Sequence, residues 1–238
     1  MSVSFDNLVQ IYQRSVSEFA DHDLFGVKQD GEYRWLTYGE FAEQTDRCRT
    51  ALADSGVVAG DTVAVISDNR VEWAVCAYAC YGLGARFCPM YESQDLKSRK
   101  YILDDSDTSF LFTATLDIRQ EIEAARDQGE LGTIRRIVHF DGGGDDDFEH
   151  FLDVDISTPA ELVDPDPEDI CGLIYTSGTT GEPKGVLLTH RNITSNINAI
   201  HDIDIIRPDD ISLAFLPWAH SFGQTAELHG MFSAGASM

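Results

Sequence analysis

Lysine is scarce in this 238-residue chain: four lysines and 13 arginines stand against 27 aspartates and 14 glutamates, for a formal net charge of −24. So little positive charge excludes a general nucleic-acid surface or an anionic-membrane surface, because phosphate backbones and lipid headgroups are repelled by such a field. Any anion must be held locally. Long apolar runs are missing too, since no stretch reaches the roughly 18 uninterrupted apolar residues of a membrane span. The N-terminus "MSVSFDNLVQIYQRSVSEFADHD" is amphipathic but has neither the charged n-region nor the long apolar h-region of a secretory signal. Cysteine is sparse: positions 48, 76, 80, 88 and 171 give an odd count with no CxxC pair and no Cys/His metal spacing. Cys76 and Cys80 lie one helical turn apart in an apolar run and read as small buried hydrophobes. These absences predict a cytoplasmic, reduced protein with no integral membrane segment, no disulfide and no protein-built metal centre.

What is present suffices for a core, with 43% hydrophobic and 10% aromatic residues. The acids are spread along the whole length and favour Asp over Glu, while Arg outnumbers Lys. That texture resembles a halophilic surface, where a carboxylate shell holds water and cations and high ionic strength screens the mutual repulsion. An acidic mesophilic protein is the plainer alternative.

Hydrophobic periodicity gives the organisation. "LTYGEF" predicts a helix start, with Thr37 and Glu40 as a capping box and Leu36 and Phe41 as a hydrophobic staple. Gly56 suits the helix end. The pattern then alternates: strand "DTVAVIS" (61–67), helix "VEWAVCAYACYGLG", strand "ARFCPMY", a helix over 95–104, strand "TSFLFT" (108–113), helix "LDIRQEIEAARDQ" and strand "IRRIVHF" (134–140). Such alternation predicts an α/β fold of mostly parallel sheet covered by helices. Residues 141–169 break the pattern with a Gly-Asp cluster that lacks EF-hand spacing, which predicts an acidic, solvated surface excursion rather than a calcium loop. From "DICGLIYT" the alternation resumes with a buried strand, a turn, a helix opening near Thr189, a strand "ISLAFLP" (211–217) and a helical stretch near "GQTAELHGMF". The chain stops at "SAGASM", on an apolar stretch with no capping element or polar tail. Truncation is the expectation.

The turn "TSGTTGEPKG" (176–185) carries the clearest chemistry. Gly178, Gly181 and Gly185 allow backbone amides to converge, and Thr176, Ser177, Thr179 and Thr180 add hydroxyl donors. Lys184 adds a mobile cation able to follow a phosphate. A Walker A loop does not fit: aligning Lys184 puts Pro183 at the second glycine and Gly185 at the magnesium-binding hydroxyl.

"YTSGTTGEPKG" resembles the phosphate-binding signature of the adenylate-forming (AMP-binding) superfamily. "GVVAGDTVAVISDNRVEW", "GLGARFCPMYES", "YILDDSDTSFLF" and "LAFLPWAHSFGQTAELHG" resemble its long-chain fatty acyl-CoA synthetase branch over nearly the whole chain. The resemblance implies a partial N-terminal domain of the acyl-CoA synthetase fold, spanning 1–238, that binds ATP and works with Mg2+, CoA and a fatty acid. It implies cofactor-binding roles for Thr176, Ser177, Gly178, Thr179, Thr180, Gly181 and Lys184, with Lys184 at the outer phosphates. It places His220, in "LPWAHSFG", beside the acyl and adenylate site, so that Lys184, Thr176 and His220 form the implied catalytic set. Trp218 and Phe222 could line a tunnel for a fatty tail or belong to the core. Gln224 stands where some long-chain members carry an aromatic gate, so the gate does not transfer. Asn69 and Tyr91 fall in matched stretches without a defined role.

The family's Tyr-Gly-x-Thr-Glu motif, whose glutamate holds magnesium, its ribose-binding aspartate, its hinge and its small C-terminal domain with a catalytic lysine have no match here. Two readings follow. One is a fatty-acid:CoA ligase entering through acyl-AMP; the other is a catalytically inactive fragment that binds nucleotide or serves as an interaction piece.

Overall fold

The computed structural model describes residues 3–176 and 182–238. Helix α1 (Leu8–Glu18) opens at Asn7, whose side chain accepts the Gln10 amide, and buries Leu8, Val9, Ile11 and Tyr12. An antiparallel hairpin follows, β1 (Asp23–Gln29) and β2 (Glu32–Thr37). Its turn is Asp30-Gly31, with φ of 51° and 90°, the left-handed pair that a two-residue hairpin loop needs. Helix α2 (Tyr38–Asp54) starts with the predicted capping box, Thr37 and Glu40 each bonding the other's backbone amide.

Strands and helices then alternate as the periodicity predicts: β3 (Thr62–Ile66), α3 (Val71–Gly82), β4 (Arg86–Met90), α4 (Leu96–Asp105), β5 (Thr108–Thr115), α5 (Leu116–Asp127) and β6 (Arg136–Asp141). After a short α6 (Phe148–Phe151) come β7 (Ile170–Thr176), β8 (Lys184–Thr189) and α7 (His190–Ile203), whose N-cap is Thr189. A π-helical stretch, Gly223–His229, runs into α8 (Gly230–Ala234).

The main sheet has the order β6-β5-β3-β4-β7-β8, parallel throughout except for β8, which pairs antiparallel with β7. Period-two alternation sends neighbouring residues to opposite faces. Val63, Val65, Phe87, Phe110 and Phe112 meet α1, α2 and α3 through Leu8, Phe41, Trp73 and Tyr78. Ala64, Ile66 and Leu111 meet α4 and α5 through Ile102, Leu103, Ile118 and Ile122. The sheet is therefore covered on both faces, as the apolar strands require. All five cysteines are buried and unbridged, as small hydrophobes.

Two expectations need correction. Residues 211–217 do not form a strand: among the described residues their only ladder contact is a bridge from Ile211 to Ser237. Ile211, Leu213 and Phe215 are 70%, 74% and 74% exposed, so the apolar alternation here faces outward. The excursion at 141–169 is acidic but not merely solvated. Phe148 and Phe151 are buried and pack their rings on Phe112, and Asp146 pairs with Arg119 and Arg136.

Candidate functional site

Parallel strands bring their carboxyl ends to one edge of the sheet, and in open α/β sheets ligands bind there, where successive crossovers leave on opposite faces. Here that point lies between β3 and β5: α3, following β3, packs on one face and leads to β4, and α5, following β5, packs on the other and leads to β6. Asn69 follows β3, Tyr91 follows β4, and Thr176 closes β7, the next strand along.

Thr176 and Lys184 are register partners at the mouth of the β7–β8 hairpin. Lys184 therefore sits at the start of a strand, not within a turn. Ladder pairing fixes its backbone opposite Thr176, while the side chain stays exposed, as does that of Thr176. The predicted ligands Ser177, Gly178, Thr179, Thr180 and Gly181 lie outside the described residues. Glu182, just before Lys184, forms an ion pair with Lys97 of α4 at 3.6 Å.

Gly185 is also a strand residue, and its role differs from the convergent-amide role that the sequence suggests. It faces Tyr175 across the hairpin, and a Cβ there would come within 3.0 Å of the Tyr175 ring. Glycine here lets the Tyr175 ring lie against the neighbouring backbone. The Tyr175 hydroxyl donates to Asp105 Oδ2 at 2.7 Å. Burial, with that carboxylate beside it, pushes the hydroxyl's pKa up and keeps it a donor.

His220 is exposed on the segment leading into the π-helical stretch. Its Nδ1 accepts the Phe222 amide at 3.3 Å, which leaves the ring proton on Nε2. The segment is anchored by Asn69. Its side-chain oxygen accepts the Trp218 amide at 2.8 Å, and its side-chain nitrogen donates to the Leu216 carbonyl at 2.8 Å. His220 thus shares the carboxyl edge with Thr176 and Lys184, although no hydrogen bond joins it to either among the described residues. Gly223 closes the turn at close quarters, where any Cβ would overlap the Pro217 carbonyl oxygen.

Trp218 combines the two roles left open for it, bordering a cleft of about 900 Å³ with Asn69 and Leu213 while its ring joins the core. Trp218 is buried, packs edge-on against Trp73 and donates from Nε1 to Glu227 at 3.3 Å. Gln224 is likewise internal and donates to the Tyr81 hydroxyl at 3.2 Å. Phe222 is 62% exposed beside Ile203 and Ile205 in an apolar cleft of about 610 Å³. Asn69, Tyr175 and Asp105 are the site residues that motif reasoning leaves without a role. The available signals were an asparagine just after a strand and an aspartate at the unfavourable negative end of a helix.

Among the described residues no group of three His, Cys, Asp or Glu side chains is placed to hold a metal ion. No helix there is long and apolar enough to cross a membrane.

Long chain acyl-CoA synthetase 7, peroxisomal, of Arabidopsis thaliana is 31% identical over 97% of this chain and 35% of its own length. Long-chain-fatty-acid–CoA ligase FadD15 of Mycobacterium bovis is 30% identical over 96% of this chain and 39% of its own. The chain thus spans little more than a third of these relatives. Among solved structures, the N-terminal domain of FACL13 from Mycobacterium tuberculosis superposes with a TM-score of 0.83 at 26% identity, over 98% of this chain and 57% of that one. Residues 12–238 match the AMP-binding enzyme family, and the chain belongs to that family.

Proposed function

We propose that these residues form part of the ATP-binding face of a long-chain-fatty-acid:CoA ligase, an acid–thiol ligase working through acyl-AMP. The observation that carries this reading is the Thr176–Lys184 pair, a hydroxyl and a cation held opposite each other at the carboxyl edge of a parallel sheet. In this reading a fatty-acid carboxylate oxygen attacks the α-phosphorus of ATP, the bond to the bridging oxygen breaks and pyrophosphate leaves. The CoA sulfur, having lost its proton, then attacks the acyl carbon and AMP leaves.

Catalysis of such a transfer rests on positioning and on neutralising charge at non-bridging oxygens. Thr176 and the hydroxyls and amides of Ser177 to Gly181 hold phosphate oxygens, and Lys184 follows the departing pyrophosphate. His220, donating from Nε2, meets the acyl and adenylate group. Mg2+ would supply further charge neutralisation on the phosphates. The described residues provide no carboxylate cluster for it, and no step here depends on one.

A second reading is nucleotide binding without turnover by these 238 residues taken alone. Release of pyrophosphate from ATP, Mg2+ and palmitate by the purified chain separates the two. Turnover abolished by Lys184→Ala supports the ligase reading, and ATP binding without turnover supports the second. Neither binding nor turnover would overturn both. The acidic composition further supports a salt-adapted setting for the protein.

A further inference from the structure

The phosphate-loop residues do not stand alone, because the base of their hairpin is braced from outside. Tyr175 precedes Thr176, and its ring lies against Gly185, the residue following Lys184. Its hydroxyl crosses to helix α4 and donates to Asp105 at 2.7 Å, 70 positions away in sequence. The arrangement is costly for Asp105. A carboxylate in the last turn of a helix faces the negative end of the dipole, and Asp104 and Asp107 crowd it further. The Tyr175 hydroxyl offsets that cost. Strand β8 also needs a brace, because it is the edge strand, antiparallel to β7, with Val186 and Leu187 44% and 54% exposed.

We infer that Asp105, acting through the Tyr175 ring and Gly185, is a positioning residue for nucleotide binding: the strut sets the depth and angle at which Lys184 and Thr176 face each other at the hairpin mouth. This rests on the reading of that hairpin as the ATP-phosphate site. It assigns a role to a residue of α4 that touches no substrate.

Three variants test it. Tyr175→Phe deletes only the hydroxyl, Asp105→Ala deletes the acceptor, and Asp105→Asn keeps an acceptor oxygen and should rescue. Amide exchange, followed by mass spectrometry over the peptide spanning residues 173–188, reads the strut directly. Exchange at the hairpin mouth should rise about threefold to tenfold in Tyr175→Phe and Asp105→Ala, the range that loss of one hydrogen bond allows, and stay near wild type in Asp105→Asn. The Kd for ATP in Mg2+ buffer should rise by a similar factor in the first two variants, with the thermal midpoint lowered by no more than a few degrees. Unchanged exchange in Tyr175→Phe, or exchange raised uniformly over the whole sheet, overturns the inference. So does an unaltered ATP Kd in that variant when the wild-type chain binds ATP. A wild-type chain that binds no ATP overturns the functional reading instead.

Discussion

The side chain of Asn69 accepts the backbone amide of Trp218 at 2.8 Å across 149 positions of sequence. The same side chain donates to the Leu216 and Ala214 carbonyls at 2.8 and 3.4 Å. One primary amide thus fixes where the segment bearing His220 crosses the carboxyl edge of the sheet. Because 211–217 has no ladder beyond a single bridge among the described residues, these bonds do the positioning that strand pairing would otherwise do.

Replacing Asn69 by alanine strands the Trp218 amide and the Leu216 carbonyl without their partner. An unsatisfied buried polar group costs about 1–3 kcal/mol, so Asn69→Ala should lower the thermal midpoint by several degrees. Asn69→Asp keeps the acceptor but loses the donor, and should fall between the two. Calorimetry of the three proteins checks this ranking, and an alanine variant as stable as wild type would refute the anchoring role.

Two buried histidines set the acid limit of stability. His229 is fully buried, its Nδ1 is 2.9 Å from the Tyr78 hydroxyl, and its Nε2 has no hydrogen-bond partner. His190 accepts the Leu8 amide on Nδ1 at 3.2 Å, a bond only the neutral ring can make. Burial depresses His229 to about 3 and His190 to about 4. Between those values and the unfolded value near 6.5, the unfolded chain binds more protons than the folded one. Their contribution is therefore complete above about pH 6.5 and is lost as pH falls, at about 1.4 kcal/mol per pH unit for each group. Glu227, raised by burial, acts in the opposite direction. The urea midpoint should drop clearly from pH 7 to pH 5, and a flat profile would mean that these rings are hydrated.

The layered fold was legible because strands such as 62–66 and 108–115 are short apolar runs and several helices carry their own caps, Thr37 and Glu40 of α2 above all. The β1–β2 hairpin goes beyond what apolar periodicity predicts, since β2 buries none of its residues. Its Asp30-Gly31 turn was the remaining local signal. Residues 211–217 show the converse failure, an apolar alternation that reads as a strand but here finds one bridge. At the site, the motif locates Thr176 and Lys184, because their chemistry is local to the loop. Asn69 and Asp105 act across 149 and 70 positions, and no local pattern encodes such a partner.

Salt should stabilise the protein. With 41 acids and 17 bases, most carboxylates have no basic partner, and the net charge of −24 repels itself within one compact body. Raising KCl from about 0.1 M to 1 M shortens the screening length from about 10 Å to 3 Å and relieves that repulsion. The thermal midpoint should climb across this range. Greater stability at low salt would remove the halophilic interpretation of the composition.

Lys184 offers the sharpest separation of binding from folding. Its side chain is exposed at the start of an edge strand, and substitutions at such positions usually change stability by no more than about 0.5 kcal/mol. In a chain whose overall field repels anions, a triphosphate depends on local donors, and Lys184→Glu replaces a cation at the hairpin mouth with a carboxylate next to Glu182. ATP affinity measured by calorimetry at fixed Mg2+ should fall by about tenfold or more, as expected when a charge-assisted contact of about 1.5–3 kcal/mol is lost and repulsion is added. The thermal midpoint should move by no more than a degree or two. A large drop in that midpoint with ATP affinity intact would make Lys184 a structural residue and move the phosphate site elsewhere on the edge.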